Sequence, residues 1–291
     1  MNSRKTVLVA GGDLRYVYTA RALAEQFDVH AAGFTRQIAP FPEITLTETA
    51  AEGLPACDVL VLPMPVSDDG VLVSAPFGRQ NLPLKGLLAA LRPDGIVLGG
   101  KFGKSAALFH EAGVETADYL AREELSTLNA VPTAEGALQI LLEEMPCTIY
   151  KSRILVLGFG RIGSRLAQLL HMLGARVTVA SRDVAELARA EMSGCDAMPL
   201  GELAERAGEF QVLCNTIPAR IITSEILSRM HPDGLVLDLA SKPGGVDLEA
   251  AQKCSRRVVW ALSLPGKTAP VTAGEIIAKT IFHMLEERGV S

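Results

Sequence analysis

The feature that most constrains this chain is a short apolar run, Ile154-Leu155-Val156-Leu157, that ends in Gly158-Phe159-Gly160-Arg161-Ile162-Gly163 and continues into a helix-forming stretch, Ser164–Leu173. A glycine fingerprint alone is weak evidence. Between a buried strand and a helix it reads as the phosphate-binding turn of a dinucleotide domain, because each glycine then has a task. Gly158 permits the tight turn, Gly160 lets backbone amides approach a pyrophosphate, and Gly163 lets the helix pack closely on the strand, so that the anion meets a helix N-terminus. A glycine turn that binds nothing is the weaker reading of the same residues.

The same grammar opens the chain. Val7-Leu8-Val9-Ala10 leads into Gly11-Gly12-Asp13 and a helical pattern through Phe27. Buried-strand candidates follow at Val59–Leu62, Ile96–Leu98 and Val114–Ala117, between helical stretches at Leu82–Leu91 and Lys104–Glu111. In the second half, strands are expected at Ile154–Leu157, Arg176–Ala180, Ala197–Leu200, Gln211–Asn215, Leu235–Leu239 and Val258–Leu262. A chain of 291 residues exceeds one comfortable core. The expected class is therefore α/β, with two Rossmann-like doubly wound parallel-sheet domains and an interdomain cleft. The boundaries are drawn at 1–121 for an N-terminal domain serving substrate or partner, 122–148 for a helical connector, 149–268 for the nucleotide domain, and 269–291 for a C-terminal helix that packs back on the N-terminal domain. Pro132 predicts a new helix beginning there. Ile276, Ile277, Thr280, Ile281 and Leu285 form the apolar side of the last helix.

The end of the second strand of a dinucleotide domain meets the adenosine ribose, and an Asp or Glu there accepts the 2′-hydroxyl of NAD. Here no acidic residue ends Arg176–Ala180; Ser181-Arg182 follows instead. A hydroxyl beside a guanidinium suits a 2′-phosphate, since arginine makes bidentate charge-assisted bonds to phosphate oxygens, and the expected cofactor is NADP. Asp183 comes next and keeps open a surface arginine beside bound NAD. Asn215-Thr216-Ile217-Pro218 and Ala240-Ser241 leave the carboxyl ends of later strands, where ligands bind in open α/β sheets, and are assigned with the glycine turn to the cofactor.

Lys242 and Lys267 are candidate cations for an anionic substrate, Lys267 being equally readable as a solvated residue. Arg15 either faces the cleft or sits idle in a turn that Asp13 caps. Asn129, Thr133 and Glu135 are polar candidates on the connector, Thr133 also fitting a helix cap. No catalytic residue is assigned: none of the five histidines lies in a strand-end loop with a carboxylate neighbour, and there is no Tyr-x-x-x-Lys pair. The missing histidine near the last strands counts against a 2-hydroxy-acid dehydrogenase.

A net charge of −5 provides no broad cationic surface, so nucleic acid is not expected as a partner. The five cysteines lack Cys-x-x-Cys spacing, which suggests reduced thiols and neither a disulfide framework nor a metal site. Met1–Lys5 leads straight into a strand, and no run approaches the roughly 20 apolar residues that span a bilayer. A cytoplasmic protein without a membrane association is expected.

The ordered set Gly11-Gly12-Asp13-x-Arg15, Asn129-Ala130-x-Pro132-Thr133-Ala134-Glu135-Gly136-Ala137, Gly158–Gly163, Asn215-Thr216-Ile217-Pro218, Asp238-Leu239-Ala240-Ser241-x-Pro243-Gly244-Gly245 and Leu264-Pro265-Gly266-Lys267 resembles the A subunit of bacterial dipicolinate synthase over nearly the whole chain. The resemblance implies oxidation of a dihydrodipicolinate-type intermediate to pyridine-2,6-dicarboxylate, with NADP taking the hydride, in the cytoplasm of a sporulating mother cell. It also implies a small dianionic cyclic substrate and, as partner, a flavoprotein-like B subunit; a homo-oligomer is expected as well. Two other readings stand beside it: a Rossmann dehydrogenase of another small carboxylic acid, and a non-catalytic NADP-binding regulatory protein.

Overall fold

Strands buried on both faces have no polar side to alternate with, and the Val/Leu/Ile runs of this chain become parallel strands for that reason. The computed structural model describes residues 4–47 and 53–290. The first part runs β1 (Thr6–Ala10), α1 (Leu14–Leu23), β2 (Asp28–Ala32), β3 (Thr45–Thr47), β4 (Cys57–Val61), β5 (Leu72–Val73), β6 (Leu82–Pro83), α2 (Leu84–Ala89), β7 (Leu91–Gly99), α3 (Ala106–Glu111), β8 (Glu115–Asp118) and α4 (Glu123–Glu144). The second runs β9 (Arg153–Leu157), α5 (Arg161–Met172), β10 (Arg176–Ser181), α6 (Val184–Met192), β11 (Asp196–Pro199), α7 (Leu203–Arg206), β12 (Val212–Asn215), α8 (Ser224–Arg229), β13 (Leu235–Asp238), α9 (Leu248–Lys253), β14 (Arg257–Trp260), α10 (Leu264–Thr268) and α11 (Pro270–Glu286).

Contacts divide the chain into two units: unit 1, Met1–Asn129 with Ala269–Ser291, and unit 2, Ala130–Thr268. Each holds a six-stranded parallel sheet, ordered β3-β2-β1-β4-β7-β8 in unit 1 and β11-β10-β9-β12-β13-β14 in unit 2. Counted within each sheet, both orders are 3-2-1-4-5-6, the doubly wound arrangement in which ligands bind at the carboxyl ends of the strands. The antiparallel pair β5–β6 is an addition to unit 1.

Two strands of unit 1 carry no signal that a sequence reading recognises. β2 is Asp-Val-His-Ala-Ala, whose alanines have low strand propensity, and β3 is the three-residue edge Thr-Leu-Thr. Both form because β1 supplies a paired template: Thr6–Ala10 pair in register with Asp28–Ala32, and His30–Ala32 with Thr45–Thr47.

Pro132 corrects one expectation: it lies inside α4 and does not begin a helix. Proline removes the donor for the carbonyl four residues back. Ala130, Ala134, Ala137 and Leu141, spaced four, three and four apart, are all buried, and the last three enter the unit 2 core. That continuous stripe outweighs one lost hydrogen bond. The contact division falls within α4, with Glu123–Asn129 in unit 1 and Ala130–Glu144 in unit 2.

In unit 1, α11 lies on α1 so closely that a Cβ on Gly274 would collide with the Arg15 carbonyl. Thr19 Oγ1 donates to the Gly274 carbonyl at 3.1 Å and to the Arg15 carbonyl at 2.9 Å. Ile276, Ile277, Thr280, Ile281 and Leu285 are all buried there. Among the described residues no helix is long and apolar enough to cross a membrane, and no cluster of His, Cys, Asp and Glu could hold a metal ion.

Candidate functional site

β9 delivers the chain to Gly158, which holds φ +87° and donates its N–H to the Ala180 carbonyl at 2.9 Å. A Cβ on Gly163 would fall inside the contact radius of the Gly158 carbonyl oxygen, so only glycine lets α5 start this close to the strand. Gly160 is the N-cap of α5, and a Cβ there would meet nothing within 4 Å. With no capping side chain, the amides of the first turn of α5 are available to an external acceptor. The turn therefore fits a pyrophosphate. Beside it lies a recess lined by Gly158, Ser181, Arg182, Asp183, Glu186, Thr216, Ile217 and Pro218.

The end of β10 differs from the sequence expectation in one respect. A carboxylate does reach it: Glu186, from the first turn of α6, accepts the Ser181 hydroxyl at 2.6 Å and the Phe159 N–H at 3.1 Å, both on Oε2. The acid enters from the following helix instead of ending the strand. Its signal was the spacing Asp183-x-x-Glu186, that of a capping box, in which the third helical residue reaches back toward the cap. Asp183 plays the cap, accepting the Ala185 N–H at 2.8 Å. The Ser181 hydroxyl also accepts the Asp183 N–H at 3.1 Å and is buried. Arg182 is exposed at the lip of the recess.

The loops after β12 and β13 hang on one buried pair. Asn215 and Asp238 are 0% and 2% exposed, and Asn215 Nδ2 donates to Asp238 Oδ1 at 2.8 Å and to the Ile217 carbonyl at 3.0 Å. Asn215 Oδ1 accepts the Ile217 N–H at 3.1 Å, while Asp238 accepts the N–H groups of Ala240 at 3.1 Å and Gly245 at 2.8 Å. Every polar atom of Asn215 is thereby engaged. Asn215 shapes the two loops from beneath, and Asp238, which no charge argument picked from the sequence, is its partner. Thr216 Oγ1 donates to the Leu157 carbonyl at 2.8 Å and closes the recess against Gly158. Ala240 is buried, whereas Ser241 and Lys242 are exposed on the loop the pair holds.

Lys267 is exposed on α10. That helix approaches α4 at Gly136, where a Cβ would lie 2.7 Å from Thr268 Oγ1 and 3.1 Å from Leu264 Cβ. Thr133 and Glu135 thus belong to the helix beside Lys267's own. Asn129 is the last unit 1 residue of α4.

Arg15, in unit 1, is only 7% exposed and is committed to Asp13. Its Nε donates to Oδ1 at 2.8 Å and its Nη2 to Oδ2 at 2.8 Å, while Asp13 Oδ1 also caps α1 through the Arg15 N–H at 3.1 Å. Burial opposes the guanidinium's charge, yet the bonds to Asp13 carry its pKa above the ordinary value. Next to it the Tyr16 and Tyr119 hydroxyls meet at 2.8 Å, and Tyr119 donates to the Leu62 carbonyl at 2.7 Å. Burial pushes the Tyr16 phenol up to about 12, so the pair stays neutral.

Residues 6–120 match the family of N-terminal domains of the dipicolinate synthase A subunit, and residues 135–250 match the D-isomer specific 2-hydroxyacid dehydrogenase NAD binding domain. The chain is 32% identical over 286 residues to the dipicolinate synthase A subunit of Bacillus subtilis (strain 168), covering 97% of this chain and 96% of that protein. The crystal structure of the same subunit from Bacillus halodurans superposes with a TM-score of 0.90 at 28% identity, covering 98% of this chain and 99% of that one. The crystal structure of the Bacillus subtilis protein does so with a TM-score of 0.86 at 31% identity, covering 99% and 97%.

Proposed function

From the premise that the chain belongs to the dipicolinate synthase A subunit family, we propose that it is an NADP-dependent oxidoreductase that converts a dihydrodipicolinate-type ring to pyridine-2,6-dicarboxylate in the cytoplasm of a sporulating cell. The coarser part, an oxidoreductase with a nicotinamide dinucleotide domain, follows from the family and from the match over residues 135–250. The observation that carries the reading is the uncapped glycine turn Gly158–Gly163, in which the backbone of Gly158 and the close packing of Gly163 call for glycine. NADP is favoured by Arg182, an exposed guanidinium at the adenosine end of the recess that makes no ion pair among the described residues.

The bound dinucleotide supplies the hydride acceptor. What the chain supplies is placement and charge. The amides at the start of α5 hold the pyrophosphate, and the Asn215–Asp238 pair fixes the loops that present Thr216 and Ser241. Lys242 and Lys267 answer the two ring carboxylates, with Thr133 and Glu135 of the neighbouring helix as polar contacts. Arg15 is the corresponding candidate in unit 1, where a substrate carboxylate would compete with Asp13. Loss of hydride makes the ring aromatic, and the proton leaves to solvent, so the reaction makes little demand for a strong base.

The test is pyridine dicarboxylate formation, read by ultraviolet absorbance, with the purified chain and NADP or NAD. The proposed partner is the flavoprotein-like B subunit, whose co-expression should yield a stable complex with higher specific activity. No product with either cofactor, alone or in the presence of that partner, would refute the reaction. Full turnover unchanged by the partner would refute the partnership alone.

A further inference from the structure

We infer that Glu186 is the residue that reads the 2′ position of the adenosine ribose, accepting a hydrogen bond from a 2′-hydroxyl and repelling a 2′-phosphate, and so limits the NADP preference that Arg182 favours. The inference rests on the dinucleotide reading of unit 2 proposed above. Its basis is where the carboxylate is and how it is held. The end of the second strand beside the glycine turn is where the adenosine ribose lies in a doubly wound domain. Glu186 bridges these two places, taking the Ser181 hydroxyl from one and the Phe159 amide from the other.

Neither donor is free to drift. Ser181 is buried in β10, and Phe159 is held by its side chain, which is buried in the unit 2 core. Both bonds fall on Oε2, and Oε1 takes no hydrogen bond from the described residues, which leaves a directed acceptor on the wall of the recess. Two neutral donors orient the carboxylate without cancelling its charge. No ion pair does so either, since among the described residues no lysine or arginine bridges to Glu186. The other acid in the recess, Asp183, is turned to its own helix cap. A 2′-phosphate therefore meets one cation, Arg182, and two carboxylates that no ion pair among the described residues neutralises, Glu186 and Asp183, while a 2′-hydroxyl meets an acceptor in Glu186. Specificity is the difference between those two encounters.

The experiment titrates NADPH and NADH against the full chain by nucleotide fluorescence, without substrate, in the parent protein, Glu186→Gln and Glu186→Ala. The glutamine keeps size and shape and leaves an oxygen for the Phe159 amide. Expected is NADPH binding tightened by about tenfold in Glu186→Gln and NADH binding weakened by roughly threefold or more, with Glu186→Ala moving the ratio the same way. If Glu186 merely braces the turn, both affinities and the melting temperature fall together and the ratio does not move. That result, or an unchanged ratio with unchanged affinities, overturns the inference. Failure of both nucleotides to saturate the parent protein would instead overturn the dinucleotide reading on which it stands.

Discussion

Gly11 in unit 1 and Gly158 in unit 2 each follow the first strand of a sheet with the same strand order, and both hold a left-handed φ, +70° and +87°. Two residues later the two turns are different objects. The N-cap that is Gly160 in unit 2 is Asp13 in unit 1, and the position of Gly163 is taken by Tyr16. Asp13 puts a carboxylate where an uncapped helix would hold a phosphate, and Arg15 folds onto it. The Gly12 amide donates to the Ser74 carbonyl at 2.7 Å, and a Cβ on Gly11 would collide with Val73 and Ser74, so the segment around β5 fills the crevice from above. One fold thus yields a turn whose helix start is capped by its own carboxylate and a turn whose helix start is uncapped, Glu186 reaching only the Phe159 amide before it. The comparison teaches that the open turn is made by subtraction: what distinguishes it is the cap, the side chain and the hairpin it does not have.

The most severe way to break the comparison is to give the open turn a side chain. Gly163→Ala places a methyl against the Gly158 carbonyl, and α5 must shift away from β9. Overpacking of this kind costs about 1–3 kcal/mol or more. Dinucleotide affinity should fall by at least about 100-fold in a fluorescence titration. Binding as tight as the parent's would mean that the pyrophosphate sits elsewhere.

A smaller effect is expected at the ribose end. Arg182→Ala removes one charge-assisted contact of about 1.5–3 kcal/mol, so NADPH should bind roughly 10- to 150-fold more weakly with NADH nearly unchanged. Equal losses for both nucleotides would assign Arg182 to the adenine or to the fold. Smaller still are the substrate cations: Lys242→Ala and Lys267→Ala should each lower kcat/KM by roughly tenfold with dinucleotide affinity preserved. Parent-like kinetics in both would remove their carboxylate-binding roles.

The same contrast shows how far the sequence could be read. All six strands of unit 2 are legible, most plainly where runs such as Val212–Asn215 and Leu235–Asp238 are buried at every residue, while the half-exposed β11 and β14 follow from the repeating strand–helix order. Unit 1 is legible where its runs are equally apolar and obscure at β2 and β3, which tertiary pairing makes into strands. At the site, the glycine turn is visible because local geometry demands glycine at Gly158 and Gly163. Glu186 is only half visible: the Asp183-x-x-Glu186 spacing marks it as the third residue of a capped helix, but its reach back across five residues to Ser181 is set by the fold. The Asn215–Asp238 pair joins residues 23 apart, a distance that only the adjacent pairing of β12 and β13 removes.

The smallest expected effect comes from altering the closed turn, and it decides whether Arg15 is available to a ligand. Asp13→Asn keeps an acceptor for the Arg15 N–H, and asparagine caps helices about as well as aspartate, so the helix start should survive. What disappears is the charge that faces a guanidinium only 7% exposed. Hydrogen bonds to charged groups contribute about 1.5–3 kcal/mol, but the amide oxygen retains part of that bond, leaving a net loss of about 1 kcal/mol. For a domain of this size that is a fall in melting temperature of roughly 2–8 °C, measurable by calorimetry. Dinucleotide stoichiometry should stay at one per chain, because the Ser74 carbonyl and the Tyr16 ring still occupy the turn. An unchanged melting temperature would show that Asp13 contributes nothing to holding Arg15, whose guanidinium would then be free for a substrate carboxylate. A second equivalent of bound dinucleotide would show that one carboxylate, and not the hairpin, keeps the turn of unit 1 closed.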